Sequence, residues 1–125
     1  SVRGGQTVVV LTFTGSGIIR GSLADGNYKL TILRDLIHDG TGRELDGDGD
    51  GTAGGDGLEA FFRLYGDSDG DRDVDLFDLG DFLSTFGRRR GDAHYLAYMD
   101  FNGDDRVGRL DLLAFARHIR TSLDA

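Results

Sequence analysis

The chain has no cysteine, one methionine, one lysine and no apolar run long enough to cross a bilayer. Each shortage closes off a class of function. Without cysteine, disulfides play no part, yet secretion stays open because bound calcium can supply the crosslinks that disulfides would otherwise make. A spanning helix needs about 18 consecutive apolar residues, so no membrane span is expected. No signal-peptide pattern stands at Ser1, and the chain reads as a piece of a longer secreted or cell-surface protein. A calcium sensor that opens a groove leans on flexible methionines, and Met99 is alone. Basic residues are equally sparse: 14 Lys and Arg face 22 Asp and Glu, for a net charge of −8. Nucleic acid is therefore not an expected partner, since a phosphate-binding surface needs clustered Lys and Arg. The only tight basic cluster, Arg88-Arg89-Arg90, reads as a solvated linker. Catalytic signatures are also thin. His38, His94 and His118 are isolated, no His pair has zinc spacing, and no Ser lies in a nucleophile elbow. Gly15-Ser-Gly17-Ile-Ile-Arg-Gly21 is one residue too long for a dinucleotide loop. The chain is expected not to be an enzyme.

What the sequence has is aspartate at regular spacing. Asp67-Ser-Asp69-Gly-Asp71-Arg-Asp73-Val-Asp75-Leu-Phe-Asp78 is repeated 33 residues on as Asp100-Phe-Asn102-Gly-Asp104-Asp-Arg106-Val-Gly-Arg-Leu-Asp111. Calcium takes about six to eight oxygens, which a twelve-residue loop supplies from its first, third and fifth side chains, the seventh carbonyl, a water or side chain at the ninth place, and a carboxylate at the twelfth. Asp67, Asp69, Asp71 and Asp78 fit the side-chain places, Asp73 the carbonyl, and Asp75 the ninth. In the second loop Asp100, Asn102, Asp104 and Asp111 take the side-chain places and Arg106 gives the carbonyl. The repeat outruns the metal: Leu79/Leu112, Phe82/Phe115 and Phe86/Ile119 align at the same offset and give each following helix one apolar stripe. Val74 and Val107, both eighth in their loops, are expected to join the loops by a short β-bridge. Two calcium ions are expected, with fold and metal coupled.

These two loops resemble the duplicated calcium loops of type I dockerin modules and the related EF-hand tails of secreted bacterial proteins, over about half the chain. As in dockerins, the twelfth residue is Asp. The sixth, usually Gly, is Arg72 in one loop and Asp105 in the other, which implies backbone strain on the order of 1 kcal/mol in the first. The resemblance implies a calcium-dependent docking module whose partner is a cohesin-like or cell-surface protein. Loop positions ten and eleven, where dockerins contact cohesin, are Leu76-Phe77 and Arg109-Leu110 rather than the Ser-Thr type. A partner surface is accordingly expected around Phe77, Leu110 and Arg109. Exposed Phe77 and Leu110 favour a partner, and buried ones favour a purely structural cap.

The remainder reads as α+β. Residues 1–57 are expected to be a β-rich portion ending in an Asp/Gly-rich loop, and residues 58–125 an all-α pair of EF-hand helix–loop–helix units. Strands are expected at Thr7–Phe13 and Asn27–Leu33, the latter with Tyr28, Leu30 and Ile32 on one face, and Leu36-Ile37 is read as the start of a third. Leu23–Ile32 looks like the closing strands of immunoglobulin-like domains of large secreted bacterial proteins. Helices are expected at Leu58–Tyr65, Leu76–Phe86, Asp92–Tyr98 and Arg109–Leu123, with Phe61, Phe62, Tyr65, Tyr95, Leu96 and Tyr98 roofing the core. Asp46-Gly-Asp48-Gly-Asp50-Gly-Thr52 begins like a calcium loop, but its twelfth place is Gly57. A third ion there, held by Asp46, Asp48, Asp50, Thr52 and Asp56, stays open against Asp56 as the N-cap of the Leu58 helix.

Overall fold

The computed structural model describes residues 2–3, 6–7 and 9–125. The chain divides into two compact units, residues 1–24 with 64–124, and residues 25–63 with Ala125.

The smaller unit is built on one long hairpin. Strand β5, Gly26–Ile32, pairs antiparallel with β6, Gly57–Arg63, from Gly26↔Arg63 to Ile32↔Gly57. Along β5 the half-buried Tyr28, Leu30 and Ile32 alternate with exposed Asn27, Lys29 and Thr31, as a strand with one covered face requires. Tyr28 stacks on Phe61 across the ladder at 5.5 Å between ring centroids, and Arg63 closes the open end by an ion pair to Asp25. The helix expected over Leu58–Tyr65 is thus not formed, and the segment is strand as far as Arg63. A short apolar run is ambiguous by period alone, and here a seven-residue partner supplies the backbone hydrogen bonds that a helix would otherwise make. The capping signal is spent elsewhere: Asp56 Oδ1 accepts the N–H of Arg34, which opens a 3-10 turn over Arg34–Leu36 where a third strand was expected.

In the larger unit, β1 (Val2–Arg3) pairs with β2 (Gln6–Thr7), and β3 (Ile18–Ile19) with β4 (Ser22–Leu23). The strand expected over Thr7–Phe13 is formed only at Thr7. Val8 lies outside the described residues, and residues 9–13 are exposed and unpaired with any strand.

Helices α1, Leu76–Thr85, and α2, Arg109–His118, each follow one Asp-rich loop. The all-α pair of helix–loop–helix units is not formed, because neither loop has an entering helix. Strand β6 precedes the first loop, and the segment expected to be a helix at Asp92–Tyr98 holds only turns and a 3-10 turn at Ala97–Met99. Its backbone is broken by Gly91 and His94, both at positive φ, and Asp92 closes a turn on the Arg89 N–H instead of capping a helix. The first following helix ends where expected, with Phe86 as its C-cap, whereas the second stops at His118, short of Leu123. Gly87 (φ +85°) and Arg120 (φ +67°) turn the chain out of α1 and α2 into short β-bridges.

Those bridges join the two repeats reciprocally. In the first loop, Val74 N–H donates to Thr121 O and Val74 O accepts from Arg120 N–H, while Leu123 N–H donates to Arg72 O. In the second, Val107 N–H donates to Arg88 O, Gly87 N–H to Val107 O, and Arg90 N–H to Asp105 O. The two sets superimpose at the 33-residue offset. Each loop therefore pairs with the tail that leaves the other repeat's helix, and the expected direct bridge between Val74 and Val107 does not exist. Both valines are nonetheless fully buried, in a core with Leu64, Tyr65, Phe82, Met99, Ala114 and Phe115. Phe82 and Phe115 meet at 4.9 Å, and burying such a ring is worth about 1.5–3 kcal/mol. The flanks of the stripe, Leu112 and Phe86, stay partly exposed. Of the expected aromatic roof only Tyr65 is buried in this core, where its hydroxyl donates to Met99 O (2.9 Å) and Asp111 O (3.2 Å). Phe61 and Phe62 belong to β6, and Tyr98 is half exposed.

Candidate metal centre

Backbone geometry makes the two loops one object drawn twice. Asp67 Oδ1 accepts from Gly70 N–H (2.7 Å) and its Oδ2 from Arg72 N–H (3.0 Å); Asp100 Oδ1 accepts from Gly103 N–H (2.8 Å) and Asp104 N–H (3.2 Å). The third and fifth side chains accept from the N–H two residues on: Asp69 from Asp71, Asp71 from Asp73, Asn102 from Asp104, and Asp104 from Arg106. These short-range bonds coil each loop so that alternate side chains face one point. One carboxylate oxygen from each of Asp67, Asp69 and Asp71 lies within 4.8 Å of the other two. Coiling this tight needs left-handed backbone at the sixth place, and Arg72 (φ +77°) and Asp105 (φ +62°) adopt it. The strain expected at Arg72 is thus located, at a cost of about 1 kcal/mol or more.

The twelfth residue locks loop to helix. Asp78 Oδ1 accepts from the Ser68 N–H (2.7 Å) and hydroxyl (2.9 Å), and its Oδ2 from Asp75 N–H (2.7 Å). Asp111 does the same, taking Phe101 N–H (2.8 Å) and Asn102 N–H (3.2 Å) on Oδ1 and Gly108 N–H (2.6 Å) on Oδ2. Both carboxylates are only 1% exposed. The ninth and twelfth residues are therefore also the N-cap and third position of the following helix, with Asp75 accepting from Phe77 N–H in α1. Asp73, Asp75 and Asp78 form a second carboxylate group with oxygens within 4.8 Å. The donor set is hard oxygen throughout, which fits calcium and excludes a soft-metal centre.

Loss of solvation, with crowded charge behind it, raises two carboxyls of the first loop. Loss of solvation raises the carboxyl of Asp69 above the usual range; the Asp71 N–H opposes this, and the charges of Asp71, Asp78 and Asp67 add to it. Asp73 is raised by loss of solvation and then by Asp71, Asp75, Asp78 and Asp67. In the metal-free chain these two groups hold more protons folded than unfolded between the ordinary and the raised pKa. Their contribution to stability therefore falls as pH rises through that window. A cation ligated by Asp69 would have to displace its proton. Calorimetry in two buffers of different ionisation enthalpy, run in the carboxylate range, is expected to show proton release on calcium binding that vanishes at neutral pH; heats that do not depend on the buffer would contradict the raised pKa values.

The third loop shares the coil but not the lock. Asp46 accepts from Gly49, Asp50 and Gly51 N–H, Asp48 from Asp50, and Asp50 from Thr52, and the three carboxylates lie within 4.8 Å. Gly57 in the twelfth place opens β6, and Asp56 is turned to Arg34. Chain crossing there is very close: a Cβ on Gly47 would run into Gly55 O.

Two contacts to the second loop were not legible in the sequence. Tyr95 Oη donates to Asp100 Oδ2 (2.8 Å); burial, then this bond, push its hydroxyl up to about 12. Its counterpart 33 residues earlier is Phe62, which has no hydroxyl, so the repeat pattern gives no warning. Arg20, at the tip of the β3–β4 turn, donates from Nη1 to Asn102 O (2.8 Å). Of the expected partner residues, Phe77 is 79% exposed and Leu110 62%, and Arg109 is exposed as well.

No family model, curated protein or solved structure matches the chain.

Proposed function

We propose that the chain is a non-enzymatic calcium-binding module of a larger secreted protein, holding one ion in each of the loops Asp67–Asp78 and Asp100–Asp111. The reading rests on the 33-residue repetition of a complete loop: coiled donors at the first, third and fifth places, and a buried carboxylate at the twelfth that ties donors to a helix. Charged turns arise often, but solvation alone gives no reason to bury Asp78 and Asp111 identically. Asp46–Gly57, which has no carboxylate in the twelfth place, is left without an ion in this proposal. Calorimetric titration is expected to give two calcium ions per chain; a stoichiometry of none overturns the reading, and three would restore the Asp46 loop.

The exposure of Phe77 and Leu110 supports docking to a protein partner over a purely structural cap. Aromatics and Arg are enriched at interface hot spots, and exposed Arg109 stands beside Leu110. The variant Phe77→Ala with Leu110→Ala is expected to keep both calcium sites and to change stability by no more than about 0.5 kcal/mol, as for surface positions. A double variant that unfolds would make these residues core and return the structural cap to first place.

A further inference from the structure

Arginines of this acidic chain gather at the second repeat. The bonds Val107 N–H to Arg88 O (3.0 Å) and Arg90 N–H to Asp105 O (2.9 Å) flank Arg89 and Arg106, which face each other as an antiparallel pair. A pair flanked rather than joined by ladder bonds brings its Cα atoms to about 4.5 Å and projects both side chains from one face. Two guanidinium stems thus leave from one spot. Both residues are exposed, and among the described residues neither forms an ion pair with an acid. With Arg90, Asp104 and Asp105 they line an open depression of about 470 Å³.

The reciprocal bridging does not demand this pair. The equivalent positions in the first repeat are Asp73 and Ser122. Like charges directly opposite work against β pairing, so the bridge itself gives no reason for two arginines here. The local acids do not supply one. Asp105 is taken by Arg90, whose Nε lies 2.7 Å from Asp105 Oδ1. Asp104 turns into the loop, accepting from Arg106 N–H (3.0 Å) and Asn102 Nδ2 (3.0 Å), where the calcium of the proposed function would hold it.

We propose that Arg89, Arg90 and Arg106 form a binding site for a tetrahedral oxyanion, a sulfate or phosphate monoester. Guanidinium forks match such oxygens bidentately, and two forks side by side can share one tetrahedral group where a single carboxylate would satisfy only one. Calcium strengthens the site by neutralising Asp104, a part of the argument that rests on the metal reading. The three arginines and their geometry do not depend on it.

The test is an NMR titration of the arginine Nε–H signals of the calcium-loaded full chain with glucose 6-sulfate and glucose 6-phosphate, with glucose as the blank. The Arg89 and Arg106 signals are expected to shift saturably with an ester and not with glucose, and the tighter ester identifies the oxyanion. Arg89→Gln and Arg106→Gln are each expected to weaken binding about tenfold by removing a charge-assisted fork. Arg88→Gln, outside the depression, should leave it unchanged. Unmoved signals in the wild-type chain overturn the site, as does an ester affinity that stays at the wild-type value in both glutamine variants. Calcium stoichiometry measured on the same samples separates the two readings: ester binding without calcium binding overturns only the metal reading, and calcium binding without ester shifts overturns only the anion site.

Discussion

Stripping calcium with a chelator is expected to lower the melting temperature and the helical circular dichroism of the chain together. A ligand that binds only the folded state stabilises it by RT ln(1 + [L]/Kd), about 2.7 kcal/mol per site at a hundredfold excess over Kd. Two sites would about double that, a large share of the roughly 5–15 kcal/mol that holds a domain together. The reciprocal bridges make the loss cooperative. Without metal, six carboxylates between residues 67 and 78 repel one another, and a loop that uncoils releases Val74 from the tail beyond α2. The second loop holds the tail beyond α1 in the same way, so neither repeat can loosen alone. By contrast, the β5–β6 ladder lies in the smaller unit with none of these ligands, and its strand signal is expected to outlast the helices. An unchanged melt in excess chelator, with metal loss confirmed by elemental analysis, would reduce both loops to solvated acidic turns.

What the sequence made legible follows from range. Loop coiling depends on bonds between residues two to five apart, such as Asp67 to Gly70 and Asp71 to Asp73, so ligand spacing alone located it. The starts of α1 and α2 were legible for the same reason, because Asp75 caps α1 and the twelfth residues Asp78 and Asp111 stand in the first turn of the helices that follow their loops. Where a distant strand decides, the local pattern misled. Gly57–Arg63 carries a helix-like capping signal, yet β5 supplies its ladder, and Asp56 spends its carboxylate on Arg34. The burial of Val74 and Val107 was legible from their shared place in the repeat, but their partners were not: a tail some 47 residues from Val74 offers no sequence signature of pairing. Both helices stop where left-handed backbone at Gly87 and Arg120 turns the chain into that pairing, and only the glycine is a conventional signal.

Asp78→Ala and Asp111→Ala are each expected to abolish calcium binding at their own loop, while Asp73→Ala leaves it nearly intact. Position decides the difference. In the proposed register Asp73 would offer only its carbonyl to the ion, and alanine keeps a carbonyl. Asp78 and Asp111 are buried carboxylates that hold two backbone N–H groups of their loop and helix cap in the first repeat and three in the second. Removing either leaves those donors without an acceptor, at about 1–3 kcal/mol for each group that stays buried, and removes a negative charge from the first turn of the helix. Reciprocal pairing carries part of the damage to the other repeat, so the surviving site should also weaken, though it should remain measurable. Asp78→Asn separates ligation from locking, since its amide oxygen can still accept an N–H while the charge is gone. It is expected to melt closer to wild type than Asp78→Ala and still lose calcium at the first loop. Calorimetric titration of the four variants decides the matter: equal losses for Asp73→Ala and Asp78→Ala would mean that the twelve-residue register is wrong.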